Sequence, residues 1–282
     1  MSSNAIESSD SAIYTDSVNL DNSSNSSSQT DLENVDLEDI ESLIVQLQSD
    51  NLKKSIQAVR SLAKMETEAA DKALVDTLEQ RGQIAPSQNR IGGSNGQTVG
   101  SSTCGSSYQY LFVSTTAAAK SFVERVPNGI VRMESERDVS YDGLQKLLVQ
   151  RDYQAADKLT TELMSEIAGD AAVKRKWVYF TEVSQFPNAD ILTIDTLWRT
   201  YSEDKFGWSQ QRNLWLRLGR NWERLWPQIS WQSSEGAWTR YPTEFVWDLD
   251  AAPIGHLPLF NQLRGVRVMN ALLEHPVWSS DE

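Results

Sequence analysis

The chain has 282 residues, 39% of them hydrophobic, and a formal net charge of −13. Residues 1–50 hold eleven carboxylates and no Lys or Arg, which leaves 28 acids against 26 bases in the remainder. A nearly neutral folded part argues against a nucleic-acid binder, which usually shows a basic patch or a high domain pI. A single cysteine excludes a disulfide framework and a cysteine-based zinc site, and two histidines argue against a multi-histidine metal site.

No apolar run approaches the ~20 residues of a membrane span. The N-terminus lacks both the positive and the apolar regions of a secretory signal, and it is too acidic for a transit peptide. These features point to a soluble intracellular protein of bacterial type. Residues 1–35 are Ser, Asn and Asp with isolated apolar residues. They offer too little apolar surface to offset the ordering entropy, so a disordered acidic tail is expected.

From Leu37 the pattern becomes helical. Ile40, Leu43, Ile44 and Leu47 recur at helical spacing; after Ser49-Asp-Asn come Ile56, Val59 and Leu62, then Ala73, Leu74 and Leu78. Three amphipathic helices read as a small antiparallel bundle. Residues 83–107 are Gly, Ser, Asn and Gln with little core material, which predicts a flexible loop. One more helix is expected over Tyr108–Val126, before Pro127-Asn-Gly. The N-terminal helical domain is thus placed at 36–132.

The second domain is placed at 133–282. Tyr141, Leu144, Leu147 and Leu148 form one apolar face; Leu159, Leu163 and Ile167 form the next, stopping at Gly169. Trp177–Pro187 has consecutive rather than periodic apolar residues and reads as a loop with a partly helical start. Asp190 is expected to cap a helix over Ile191–Tyr201. Further helices follow at Gln210–Leu218 and Trp222–Ile229, then an aromatic loop from Trp238 to Trp247, then a last helix from about Leu259 to Leu273. The fold class is all-α.

All ten tryptophans lie between Trp177 and Trp278, so this part buries large flat surfaces. On the last helix Leu259, Leu263 and Val266 are expected to point inward, while Arg264 and Arg267, one helical step apart, are surface neighbours. Two adjacent cations suit an anionic ligand; equally, each could pair with a nearby Asp or Glu or stack on an aromatic ring. Two aromatic loops and a paired-arginine ridge fit an apolar ligand pocket with a few convergent polar groups. They also fit a protein-interaction patch, where Trp, Tyr and Arg are enriched.

Enzymatic readings have less support. His256 has Asp248 and Asp250 nearby but no nucleophile elbow, and reads as a turn or capping residue. Arg90-Ile-Gly-Gly-Ser-Asn-Gly lacks the Lys and the flanking strand of a phosphate loop. Asp195, Glu203 and Asp204 read as helix-surface or cap residues.

An ordered series of rare-residue motifs carries a resemblance. It runs Tyr179-Phe-Thr-Glu-Val, Phe186-Pro, Thr193-Ile-Asp-Thr-Leu-Trp198, Phe206-Gly-Trp-Ser-Gln-Gln-Arg212, Leu225-Trp-Pro, Trp238-Thr-Arg, Phe245-Val-Trp-Asp-Leu and Gly255-His-Leu-Pro-Leu. The series, over roughly residues 139–278, resembles the "genomes uncoupled four" family of cyanobacteria and chloroplasts. The N-terminal helices resemble, to a lesser degree, the accessory helical domain of its cyanobacterial members.

The resemblance implies an all-helical, non-catalytic protein that binds protoporphyrin and magnesium-protoporphyrin as ligands, with no catalytic cofactor. It implies stimulation of magnesium chelatase in chlorophyll biosynthesis, together with that enzyme's large porphyrin-binding subunit. The matching site positions are Phe180 and Val183 in the first loop, Tyr241 in the second, and Asn261, Arg264 and Arg267 on the helix. Tyr241 departs from related cyanobacterial members, which carry Trp there; Tyr keeps a flat amphipathic face with less area, which implies weaker stacking. The chain stops soon after Trp278, so no plant-type C-terminal extension, and no phosphorylation of one, is expected. Implied placement is cytoplasmic, with peripheral association at thylakoid membranes allowed. The alternative is an interaction or signalling adaptor of the same fold with weak or lost porphyrin binding.

Overall fold

The computed structural model describes residues 38–81, 98–259 and 266–281. Among the described residues regular structure is helical, apart from isolated bridge residues such as Gln232 and Trp238, which pair with each other. The expected all-α class therefore holds. The expected tail and most of the expected loop, up to residue 97, lie outside the described residues. No helix among the described residues is long and apolar enough to cross a membrane.

Helix α1 (38–47) buries Ile40 and Leu47. Asn51 caps α2 (Leu52–Met65) by accepting from the Lys54 N–H at 3.2 Å. Ile56, Val59 and Leu62 form its buried stripe. Thr67 caps α3 (Glu68–Gln80) in the same way.

The structure corrects the loop expected at 83–107. Residues from Thr98 onward belong to α4 (Thr98–Val113), and Ser102, Thr103, Cys104, Ser106 and Ser107 are buried. The segment shows no amphipathic pattern because it is enclosed by α2, α3 and α10 (Asn188–Thr200). Its small residues are what lets the helices approach. A Cβ on Gly105 would stand 2.0 Å from the Thr200 carbonyl oxygen. Two of its hydroxyls find partners inside: Ser107 donates to the Thr103 carbonyl at 2.9 Å, and Thr103 shares a 2.8 Å bond with Ser55 on α2.

The single helix expected over Tyr108–Val126 is instead two, α4 and α5 (Ala117–Arg125). Asp71, buried on α3, accepts from the Ser114 hydroxyl and from the Thr116 hydroxyl at 2.8 Å, which bends the chain there. Glu68 accepts from the Ala117 and Ala118 N–H groups at 2.9 and 2.8 Å, so one helix start satisfies the next.

Helices α6 (Asp142–Val149) and α7 (Tyr153–Ala168) follow the sequence pattern, and Gly169, at φ 98°, stops α7 as expected. After α8 (Asp170–Arg175) and the short α9 (Phe180–Val183), α10 starts at Asn188 rather than at Ile191. Asp190 is therefore no cap. It is buried, and it accepts from the Tyr141 hydroxyl at 2.6 Å, the Ser135 hydroxyl at 2.5 Å and the Glu136 N–H at 3.0 Å. Asp195 is likewise not on the surface; it is buried, accepting from the Ser209 N–H at 2.8 Å and hydroxyl at 2.6 Å, and so caps α11 (Trp208–Arg217) from a neighbouring helix. Helix α12 (Trp222–Gln228) and a last helix, α13 (Arg267–Leu273), complete the series before a 3-10 turn at Pro276–Asp281. Trp198 lies at the centre, fully buried, donating to Thr160 at 3.0 Å.

The contact between α4 and α10 yields a first prediction. Gly105→Ala forces backbone against backbone and is expected to destabilise the protein by about 3 kcal/mol or more, read as a lower midpoint in thermal denaturation.

Candidate binding site

The first aromatic loop is held by one ion pair. The Arg175 guanidinium lies over the rings of Trp177 and Tyr179, 5.0 and 4.4 Å from their centroids. It also grips both Glu182 carboxylate oxygens at 2.8 and 2.7 Å. Glu182 accepts in turn from the Tyr179 N–H at 2.8 Å. With the backbone so fixed, Val183 is fully buried in the core while Phe180 stays 40% exposed. The His275 ring, bonded to the Phe186 carbonyl, ties the far end of this loop to the chain beyond α13.

The second loop grows out of a tryptophan ladder. Trp215, Trp222, Trp226 and Trp231 follow one another at ring-centroid spacings of 4.8, 5.1 and 5.6 Å, and Trp238 leans on Trp226 at 5.8 Å. Tyr241 meets Phe245 and Trp247 edge-on at 5.6 and 5.9 Å and remains 41% exposed. His256 is not a catalytic base but a clamp. Its Nδ1 bonds the Ile229 carbonyl at 2.7 Å, and its Nε2 accepts from the Val246 N–H at 3.0 Å. Both ring nitrogens are thereby committed in the neutral form.

The final helix departs from expectation. Leu259 is not helical, Val266 forms a turn, and α13 is described only from Arg267. Its buried face is Val268, Met269, Leu272 and Leu273, whereas Val266, expected inward, is 37% exposed. Asn261, Arg264 and Leu263 lie outside the described residues.

The structure brings Phe180 and Arg267 together. The Arg267 guanidinium stands 5.7 Å from the Phe180 ring centroid, and α9 packs on α13. Of the two fates open to this arginine, it has taken ring stacking; among the described residues no carboxylate pairs with it. Val183, on the same short helix as Phe180, is buried in the core. Tyr241 has neighbours of its own.

Those neighbours include a residue that sequence reading missed. Asp157 on α7 is 2% exposed. It accepts from the Leu259 N–H at 2.5 Å, and the Tyr241 hydroxyl bonds to it. It therefore ties the second loop to the stretch that leads into 260–265. Burial, opposed in part by those two bonds, pushes its carboxyl up to about 7. An Asp on a helix between Ala156 and Lys158 gives no sequence signal; only the fold shows that it is enclosed.

Compared with known proteins, the sequence matches the GUN4-like family over residues 134–276, just over half of the chain, and it belongs to that family. The match includes Phe180, Val183, Tyr241, Asn261, Arg264 and Arg267. The chain is 49% identical over 153 residues to the Ycf53-like protein of Synechocystis sp., covering 54% of this chain and 65% of that one. It is 36% identical over 147 residues to the chloroplastic tetrapyrrole-binding protein of Arabidopsis thaliana, covering 50% of this chain and 56% of that one. It is also similar to the structure of GUN4 from Chlamydomonas reinhardtii, with a TM-score of 0.49 at 37% identity, covering 52% of this chain and 95% of the other.

The buried groups set the pH response. Asp157 is raised, so the stability of its protonated form is complete below pH 3.8 and is lost as pH rises through about 7. His256 and His275 are lowered, first by desolvation, so their contribution is complete above pH 6.5 and is lost as pH falls. Asp157→Asn keeps an acceptor for Leu259 and removes the charge. Its stability relative to the unsubstituted chain is expected to rise by on the order of 2–4 kcal/mol between pH 4 and pH 8, measured by denaturant unfolding at both pH values.

Proposed function

We propose that this chain binds tetrapyrroles, namely protoporphyrin and magnesium-protoporphyrin, and activates magnesium chelatase without catalysing a reaction itself. The observation that carries this reading is the pairing of an exposed Phe180 ring with Arg267, a cation with no described carboxylate partner, on a rigid frame. The name of the Arabidopsis relative supports it. In this reading Phe180 and Tyr241 offer flat faces, Val183 supports Phe180 from below, and Asn261, Arg264 and Arg267 address the polar edge of the ligand.

A porphyrin is a large apolar disc with two propionates on one edge. Burying one face removes about 150–200 Å² from water, roughly 4–5 kcal/mol. Charge-assisted bonds from Arg264 and Arg267 to the propionates add to this. Once association costs are subtracted, micromolar-class affinity follows. The partner in this reading is the large porphyrin-binding subunit of the chelatase. The setting is the cytoplasm of a cyanobacterial-type cell, with peripheral contact at thylakoid membranes.

A second reading is an interaction adaptor that has lost pigment. It is favoured by the exposure of Tyr179 and Trp238, at 44% and 50%, beyond the residues the ligand would use.

The test is titration of the purified chain with a soluble protoporphyrin analogue and its magnesium form, read by tryptophan quenching. Saturable micromolar quenching is expected. Arg264→Glu and Arg267→Glu should each weaken it about 10-fold or more, as loss of a charge-assisted bond implies. Unchanged affinity in both would sink the site assignment. Tyr241→Trp, which adds stacking area, should tighten binding by about 2- to 5-fold.

A further inference from the structure

The N-terminal helices lie outside the stretch matched by the family, yet α2 reaches the frame of the second loop. Arg60 holds Glu203 by a forked contact, from Nη2 at 2.9 and 3.0 Å and from Nε at 3.3 Å. The same Nη2 donates to Asp250 at 2.6 Å. Glu203 is an unyielding partner. It sits in the turn after α10 with φ 55°, next to Asp204 at φ 61°. Asp204 is itself locked to Arg199 at 2.7 Å. Arg60 thus bridges a rigid turn to a carboxylate whose side chain is otherwise 70% exposed. Its hydrogen bond holds the Asp250 carboxyl below the usual carboxylate range.

Asp250 lies between the two halves of the proposed site. Before it come Phe245 and Trp247, the rings that flank Tyr241. After it the backbone is gripped at successive points until it reaches the segment with Asn261 and Arg264. Lys205 donates to the Leu249 and Asp250 carbonyls at 2.5 and 3.2 Å. Gln211 donates to the Gly255 and Pro258 carbonyls at 3.0 and 2.9 Å. Asp157 takes the Leu259 N–H. These three grips come from the family-matched part; Arg60 comes from α2. A fork that meets two carboxylates needs a guanidinium, since an ammonium presents a single point charge.

We propose that Arg60 is a positioning residue through which the N-terminal helices hold the second aromatic loop and the backbone after it, and so tune the affinity of the tetrapyrrole site. The tuning rests on the function proposed above; the positioning does not.

Arg60→Gln and Asp250→Asn remove the bridge from its two ends, and the exposed Asp250 side chain makes the second variant safe for folding. Hydrogen exchange on the full ligand-free chain is expected to speed up several-fold over residues 245–259 in both variants. Exchange in α6 and α7 should be unchanged. Affinity for the soluble protoporphyrin analogue should fall between about 2-fold and about 30-fold, the range of mutational coupling between joined elements. Arg60→Lys should recover only part of it. Lys72→Gln, which breaks the exposed Lys72–Asp76 pair on α3, should alter neither readout.

Unchanged local exchange in both variants overturns the positioning role. Faster exchange with unchanged affinity overturns the tuning. A starting chain that fails to bind the analogue removes the ligand reading and the tuning with it, while the exchange data still decide whether Arg60 positions the loop.

Discussion

The end of α10 is where the fold is decided. Thr200 receives the backbone of Gly105 at a distance no side chain would permit. Immediately after it the Tyr201 carbonyl accepts from Gln109 at 2.9 Å and from the Tyr153 hydroxyl at 2.8 Å. The Tyr201 hydroxyl donates to Gln145 at 2.8 Å and accepts from the Ile130 N–H at 3.1 Å. Helices α4, α6 and α7 and the 127–133 connection are thereby referred to one point. A buried polar network of this kind is worth having only if each member is satisfied; here satisfaction requires all these elements to be present together. The same turn continues to Glu203 and thus to Arg60, so the framework that makes the core also reaches the second loop.

Around that framework the two aromatic loops are built alike. Each is pinned by polar residues that consume backbone groups a loop would otherwise leave to water. Glu182 and His275 serve the first loop; His256 and Asp157 serve the second. Rings that point inward from such a pinned backbone, such as Phe186 and Phe245, are buried, and those that point outward, such as Phe180 and Tyr241, stay open. Exposed aromatic faces on a fixed frame lose little freedom on binding, which is how preorganisation raises affinity. Three of these clamps, Asp157, His256 and His275, have pKa values moved by burial, so both loops answer to pH through buried supports.

How far the sequence disclosed this depends on the range of the interaction. Helical stripes such as Ile56, Val59 and Leu62 are local, and they could be read directly. Helix α4 could not, because a helix enclosed on all sides has no polar face to betray its period, and its Ser and Gly residues look like linker. Asp190 looked like a cap, and Asp195 like a surface or cap residue, because their partners, Tyr141 and Ser209, are distant in sequence. Asp157 and the long-range partners of the two histidines were missed for the same reason. Phe180 and Arg267 were singled out by resemblance to a family, since spacing alone left the arginine free to pair with an acid. The contact between them is a tertiary fact, as is the late start of α13, which no periodicity from Leu259 onward could foretell.

The degree of exposure bears on what such a site can do. An enzyme acting on a tetrapyrrole would gain from closing over it, because excluding water strengthens every charge that acts on the reacting atoms. Here Phe180 and Tyr241 are near 40% exposed, while the groups able to act as acid or base, Asp157 and His256, are buried and committed to backbone partners. In the function proposed above, such a frame would serve to hold a ligand rather than to transform it. A disc held on one face keeps its other face available, and a rigid half-site is suited to sharing its ligand with a second protein. Under the tuning role proposed for it, the Arg60 bridge would have a purpose beyond stability. If affinity must stay moderate for the ligand to pass on, the accessory helices offer a means of setting it without altering a residue that touches the ligand.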